Sequence, residues 1–199
     1  KMIIDRLAVL QAANIVLASG SPRRQDILNN VLKLGVSVVP STFEENLDKS
    51  QFTPSSYVKE NARQKALEVW HRLRAKGEAP SLVIGSDTVV SYDEHILEKP
   101  KDEDDAKRML GDLSGKSHCV YSGVALLYKN PSDKGAAAEP AECCFVEATD
   151  VTFAVLSPEV IAAYVASGEP MDKAGGYGIQ EVGGTFVSGI KGDYFNVVG

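Results

Sequence analysis

Four apolar residues, Ile15-Val16-Leu17-Ala18, are followed closely by Ser21-Pro22-Arg23-Arg24, and Gln25-Asp26-Ile27-Leu28 then opens an amphipathic segment. That order leaves few choices. A buried strand must end in a short polar turn, and a helix must start on the next residues. Ser21 is a good N-cap and Pro22 suits the first helical position. Unpaired backbone N–H groups gather at such a turn and favour an anion. The Arg23 and Arg24 guanidinium groups there point to phosphate or carboxylate. The plainer reading is a capped helix with two solvated arginines.

Strand and helix signals alternate after this unit. Residues 36–39 read as a second strand ended by Pro40, and 41–53 as a polar connection containing Glu44 and Glu45. Thr53-Pro54 starts a long helix to about Lys76, with Val58, Ala62, Ala66, Val69 and Leu73 at helical spacing. Leu82-Val83-Ile84 is a buried-type strand entering Gly85-Ser86-Asp87-Thr88, and 92–95 is a hairpin turn. A helix is expected over 102–113, longer strands over 119–128 and 144–155, and a loose hairpin loop over 130–140 between them. Ser157-Pro158 caps a helix ending at Gly168, and short strands fit 185–188 and 194–198. Helices early and hairpins late favour one α/β domain spanning 1–199, with a mixed, twisted sheet flanked by helices.

Composition narrows the partners. The net charge of −6 over 199 residues argues against a nucleic-acid polymer, and a basic site on an acidic body suits a small anion. No segment approaches the roughly 18 continuous apolar residues of a membrane span. The N-terminal residues carry no signal-peptide pattern. Cys119, Cys143 and Cys144 form no even disulfide framework, and His71, His95 and His118 have no zinc spacing. A cytoplasmic location with reduced thiols is expected.

Asp87 is the second anchor. A carboxylate in a buried-type strand needs a partner or a metal, although a lone strand-end Asp also makes local turns. Lys99 follows after a hairpin that returns it towards Asp87, and Lys65 lies among apolar positions of the long helix. Taken singly, each lysine reads as solvated. Together these groups suit a nucleoside triphosphate carrying Mg²⁺, with Mn²⁺ as the alternative. Glu44 and Asp87 are the candidate metal ligands, and Glu45 beside Glu44 leaves that choice open. A carboxylate near bound metal can deprotonate the attacking water. The sequence has no GxxxxGK[ST], no GxGxxG after a strand and no GxSxG. The loop around Tyr177 either lets backbone approach a ligand or forms turns, and Gln180 has the donors and acceptor to read a base edge.

In order along the chain come Leu17-Ala18-Ser19-Gly20-Ser21-Pro22-Arg23-Arg24, Gln64-Lys65-Ala66, Ile84-Gly85-Ser86-Asp87-Thr88, Glu98-Lys99-Pro100 and Leu113-Ser114-Gly115. Glu169-Pro170-Met171-Asp172-Lys173-Ala174-Gly175-Gly176-Tyr177-Gly178-Ile179-Gln180 and Gly192-Asp193-Tyr194-Phe195-Asn196-Val197-Val198-Gly199 complete the set. This ordered set resembles the Maf-like nucleotide pyrophosphatases, relatives of the inosine-triphosphate pyrophosphatase fold. The resemblance implies hydrolysis of a nucleoside triphosphate between its α- and β-phosphates, to a monophosphate and pyrophosphate. It implies that Asp87 accepts the proton and that Ser19, Arg24, Glu44, Lys65 and Lys99 serve phosphate and metal. Arg23, Thr88 and Gln180 match the branch that resembles dTTP and UTP hydrolases, and the sister branch resembles enzymes acting on 7-methyl-GTP. A homodimer is implied too, as is a role in removing unwanted or modified pyrimidine nucleotides. Ser86 stands where many members have Ala, and relatives usually continue beyond Gly199 into a final helix. A binding regulator without turnover is the alternative of a different class.

Overall fold

The computed structural model describes residues 3–130 and 139–199. Most of the loop expected over 130–140 therefore lies outside the described residues. The strands are β1 (Ile15–Leu17), β2 (Ser37–Val38), β3 (Leu82–Tyr92), β4 (His95–Leu97), β5 (Ser117–Tyr128), β6 (Ala141–Phe153) and β7 (Val187–Lys191). The α-helices are α1 (Leu7–Gln11), α2 (Pro22–Asp26), α3 (Pro54–Ala75), α4 (Glu103–Leu113), α5 (Pro158–Ala166) and α6 (Tyr194–Val198). The strands make a seven-stranded sheet in the order β2-β1-β3-β5-β6-β7, with β4 paired to β3. It is mixed, as expected: β1 runs parallel to β2 and β3, whereas β3–β4 and β6–β7 are antiparallel.

The chain forms two compact units. The first comprises Lys1–Leu47, Lys59–Asp87 and Gly123–Phe145, and the second comprises Asp48–Val58, Thr88–Ser122 and Val146–Gly199. In the first, α3 buries Ala62, Ala66, Val69, Trp70 and Leu73 against Val16, Val83, Ala125 and Leu127. Helix and strand approach closely there. A Cβ on Gly85 would stand 2.1 Å from the Ala62 carbonyl oxygen and 2.8 Å from the Ala66 Cβ. Only glycine opposite two alanines permits that spacing. Thr53 starts α3 by accepting from the Ser56 N–H while its own N–H donates to the Ser56 hydroxyl.

The second unit has an aromatic core. Phe153 meets Tyr177 edge-on at 4.7 Å between ring centroids and His118 at 4.9 Å, and Tyr164 meets Phe186 at 4.8 Å. Gly175 lies at φ +69°, and a Cβ there would stand 2.6 Å from Val90 Cγ2. The β3–β4 hairpin turns through Asp93 and Glu94, both at positive φ, which suits a two-residue turn.

Two expectations change. The segment 194–198 is the helix α6, because the Asp193 carboxylate accepts from the Asn196 N–H and the Asn196 amide donates to Val120 O and Thr149 Oγ1. The strand expected over 185–188 is shifted to β7, since Val182–Phe186 is a 3-10 turn. The amphipathic segment after Arg24 is short, with a π-turn over Ile27–Val31 following α2. No described helix is long and apolar enough to cross a membrane.

Candidate active site

Strand β3 carries an apolar run that ends in buried Ser86 and Asp87. A buried carboxylate is tolerable only with donors around it. Helix α3 supplies them. Lys65 Nζ donates to Asp87 Oδ1 at 2.8 Å, and Asn61 Nδ2 donates to Oδ2 at 3.1 Å. The Gly85–Ala62–Ala66 contact brings these two side chains onto the strand. Both donors belong to the row Tyr57, Asn61, Lys65, Val69 and Leu73, spaced four residues apart on the buried face.

A second cation comes from α2. Ser21 caps this helix, its side chain accepting from the Arg24 N–H. Arg24 turns inward, with NH1 donating to Ser19 Oγ at 3.0 Å and to the Ser86 carbonyl at 2.9 Å. Ser19 Oγ also accepts from the Ser21 N–H. Burial lowers the Arg24 pKa, and the charges of Asp87 and Glu45 oppose that shift. One guanidinium thus ties the turn after β1 to the middle of β3, next to Asp87.

The polar connection after β2 delivers a further carboxylate. Glu68 of α3 accepts from Ser41 Oγ and the Thr42 N–H, both at 2.9 Å, and Arg72 donates to the Pro40 carbonyl at 2.7 Å. Burial raises the Glu68 pKa, but its hydrogen bonds from Arg72, Thr42 and Ser41 outweigh this and hold it at about 2. With the loop pinned here, the Glu45 carboxylate reaches Lys65 Nζ at 2.9 Å.

The structure therefore brings together Ser19, Arg24, Lys65 and Asp87. Arg23 follows in the first turn of α2, half-buried. Glu44 is exposed, and its neighbour Glu45 is the carboxylate that meets Lys65. Thr88, Lys99 and Gln180 belong to the second unit. There the Thr88 hydroxyl pairs with Ser122 Oγ at 2.8 Å. Lys99 is exposed next to Glu98, whose carboxylate accepts from Tyr57 OH and Lys49 Nζ. Gln180 is exposed on a turn. Among the described residues no three His, Cys, Asp or Glu side chains form a ready metal cage. Sequence reasoning missed Asn61. Its signal was a polar residue in the apolar row of α3, four residues before Lys65.

The family profile described as Maf-like protein matches residues 14–199. The chain is 48% identical over 185 residues to the dTTP/UTP pyrophosphatase of Clostridium perfringens (strain 13 / Type A), covering 93% of this chain and 90% of that one. It is 44% identical over 199 residues to the nucleoside triphosphate pyrophosphatase of Dictyostelium discoideum, covering 97% and 88%. A human protein, named a probable bifunctional dTTP/UTP pyrophosphatase/methyltransferase protein, is 53% identical over 187 residues; these make up 93% of this chain but 30% of that longer protein. Among solved structures, the Staphylococcus aureus Ham1 protein aligns with a TM-score of 0.44 and 13% identity, over 70% of this chain and 71% of its own. With the profile spanning residues 14–199 and a relative covered over 90% of its length, the chain belongs to the Maf-like protein family.

Proposed function

We propose that this chain is a nucleoside triphosphate pyrophosphatase that cleaves dTTP and UTP between the α- and β-phosphates, releasing the monophosphate and pyrophosphate. The observation that carries the reading is the buried Asp87 carboxylate, held by Lys65 and Asn61 with Arg24 bound to the neighbouring Ser86 carbonyl. A buried carboxylate held in one orientation suits a general base, which must sit within hydrogen-bond reach of the water it deprotonates. The names of the pyrophosphatases similar to this chain support the choice of substrate.

Each group has a task in this reading. Lys65 has three N–H donors, and the described acceptors on it are Asp87 and Glu45. It thus retains capacity for a phosphate oxygen. Arg24, with Ser19 beside it, adds a fixed guanidinium for the triphosphate. Asp87 takes the proton from the attacking water at a carboxylate oxygen. Lys99 is assigned to phosphate, and Arg23, Thr88 and Gln180 to selection of a pyrimidine nucleotide. A base edge whose hydrogen bonds are lost leaves such groups unpaired, which is how selectivity arises.

The donor set suits a divalent cation. Asp87 and Glu45 converge on one ammonium, and two carboxylates with water and phosphate oxygens are the usual surroundings of Mg²⁺. Asp87 with an acidic residue of the 44–45 pair would hold it, and contact with Lys65 favours Glu45. When bound, Mg²⁺ or Mn²⁺ neutralises phosphate charge and lowers the pKa of water. We further propose that the two units act as one catalytic domain, in a cytoplasmic homodimer.

A nucleotide panel with pyrophosphate detection, run with and without Mg²⁺, tests the reading. Pyrophosphate from dTTP and UTP in preference to CTP and 7-methyl-GTP, and only with metal, is expected. Tight dTTP binding without pyrophosphate release would instead make the protein a regulator, and preference for 7-methyl-GTP would move it to the sister branch.

A further inference from the structure

Asn61 is fully buried, at 0% exposure, in the apolar row of α3. Its Nδ2 donates to Asp87 Oδ2 at 3.1 Å. Its Oδ1 is also buried and has no partner among the described residues. An unmet buried acceptor destabilises a fold. Other buried positions of the same helix close to it in sequence, Val58, Ala62 and Ala66, carry apolar side chains. Packing alone therefore gives no reason for an amide here.

Chemistry at Asp87 gives one. The two oxygens of its carboxylate are held by different donors, Lys65 on Oδ1 and Asn61 on Oδ2. These donors are not equivalent. Lys65 is shared with Glu45, carries charge and is suited to move onto an incoming phosphate. Asn61 is neutral, has no affinity for a phosphate beyond a single weak donor, and has Asp87 as its hydrogen-bond partner. When an anionic substrate draws Lys65 away, Asn61 is the contact that keeps the carboxylate plane fixed.

We infer that Asn61 is a positioning residue for Asp87, whose amide lets the base keep its orientation while Lys65 engages substrate. The inference rests on the reading of Asp87 as the base. It adds a residue that touches neither substrate nor metal and acts through that carboxylate.

Three substitutions in the full chain test it, assayed with dTTP and Mg²⁺. Asn61→Leu keeps the branched shape and the number of heavy atoms and removes the donor. Its kcat is expected to fall by about 10- to 100-fold, the usual scale for losing a group that orients a site residue. Its affinity for a non-hydrolysable dTTP analogue should be unchanged, so that the loss falls on kcat and not on binding, a split that a purely structural role would not produce. Asn61→Thr restores a hydroxyl donor and should recover part of kcat. Asn61→Asp places a like charge against Asp87 and should be the least active of the three. Wild-type kcat in Asn61→Leu, or kcat losses that merely track losses in Tm without recovery in Asn61→Thr, would overturn the inference. Asp87→Asn run alongside separates the two levels. If it retains turnover, the reading of Asp87 as base has failed; if it is inactive while Asn61→Leu is not, only the role of Asn61 has.

Discussion

The two units bury polar side chains for different ends. In the first, the core around α3 and β1 is built mostly from Val, Ala and Leu, with Trp70 as its one large ring among the described residues, and Gly85 lets the helix backbone close onto the strand. The polar groups buried there, Asn61, Lys65 and Ser19, converge directly or through Arg24 on the middle of β3 at Asp87. In the second unit, large rings fill the core and the buried polar groups are consumed by structure. His118 pairs with Tyr177 OH at 2.8 Å, Lys173 donates to the Glu169 carbonyl and Asp172, and Asn196 anchors α6. Small residues set backbone distances tightly, which a site requires. Rings supply apolar area and edge-to-face contacts, which a core requires.

That contrast can be broken by mutation. The largest expected stability effect is Phe153→Ala in the aromatic core, about 3–5 kcal/mol, because several rings lose a shared neighbour. Urea unfolding should register it, with little change in kcat of the folded fraction. A pH series comes next. Burial lowers the His118 pKa from the usual 6.5 to about 4. The unfolded chain therefore takes up a proton at higher pH than the folded one. Stability should be intact above about pH 6.5, decline down to about pH 4 and then level off, with a total of about 3 kcal/mol. His118→Gln should flatten that decline, and an unchanged profile would contradict the burial of a neutral ring.

Gly85→Ala follows, at about 1–3 kcal/mol of overpacking strain. Its activity should fall further than its stability, since α3 must retreat from β3 and carry Lys65 and Asn61 away from Asp87. Equal losses in both would deny the first unit its special dependence on spacing. The smallest effect is Glu68→Gln, about 1 kcal/mol from weakened charge-assisted hydrogen bonds. Loosening of the loop bearing Glu45 should raise the Mg²⁺ concentration needed for half-maximal rate.

Punctuation made much of this fold legible in sequence. Thr53-Pro54, Asp102 and Ser157-Pro158 mark the starts of α3, α4 and α5 because capping chemistry is local. The same logic could have identified α6, since Asp193 caps it, but Tyr194, Phe195 and Val197 have strand propensity and mask the cap. At the site, Asp87 was legible because a charge within an apolar pattern is conspicuous, whereas Lys65 taken singly reads as solvated and stands out only together with Asp87. Asn61 was not, because an asparagine in a helix ordinarily reads as solvated. The choice between Glu44 and Glu45 could not be made from sequence either. A loop has no periodicity, and its register here depends on Glu68 and Arg72 of α3.

Asp87→Asn is the most direct test of the central claim that one buried carboxylate activates the water. The substitution keeps shape and removes the base, so pyrophosphate release from dTTP should fall by about 100- to 10,000-fold, the usual contribution of a general base. Binding of a non-hydrolysable dTTP analogue should persist. Turnover within a few-fold of wild type, with the variant folded and binding nucleotide, would contradict the account.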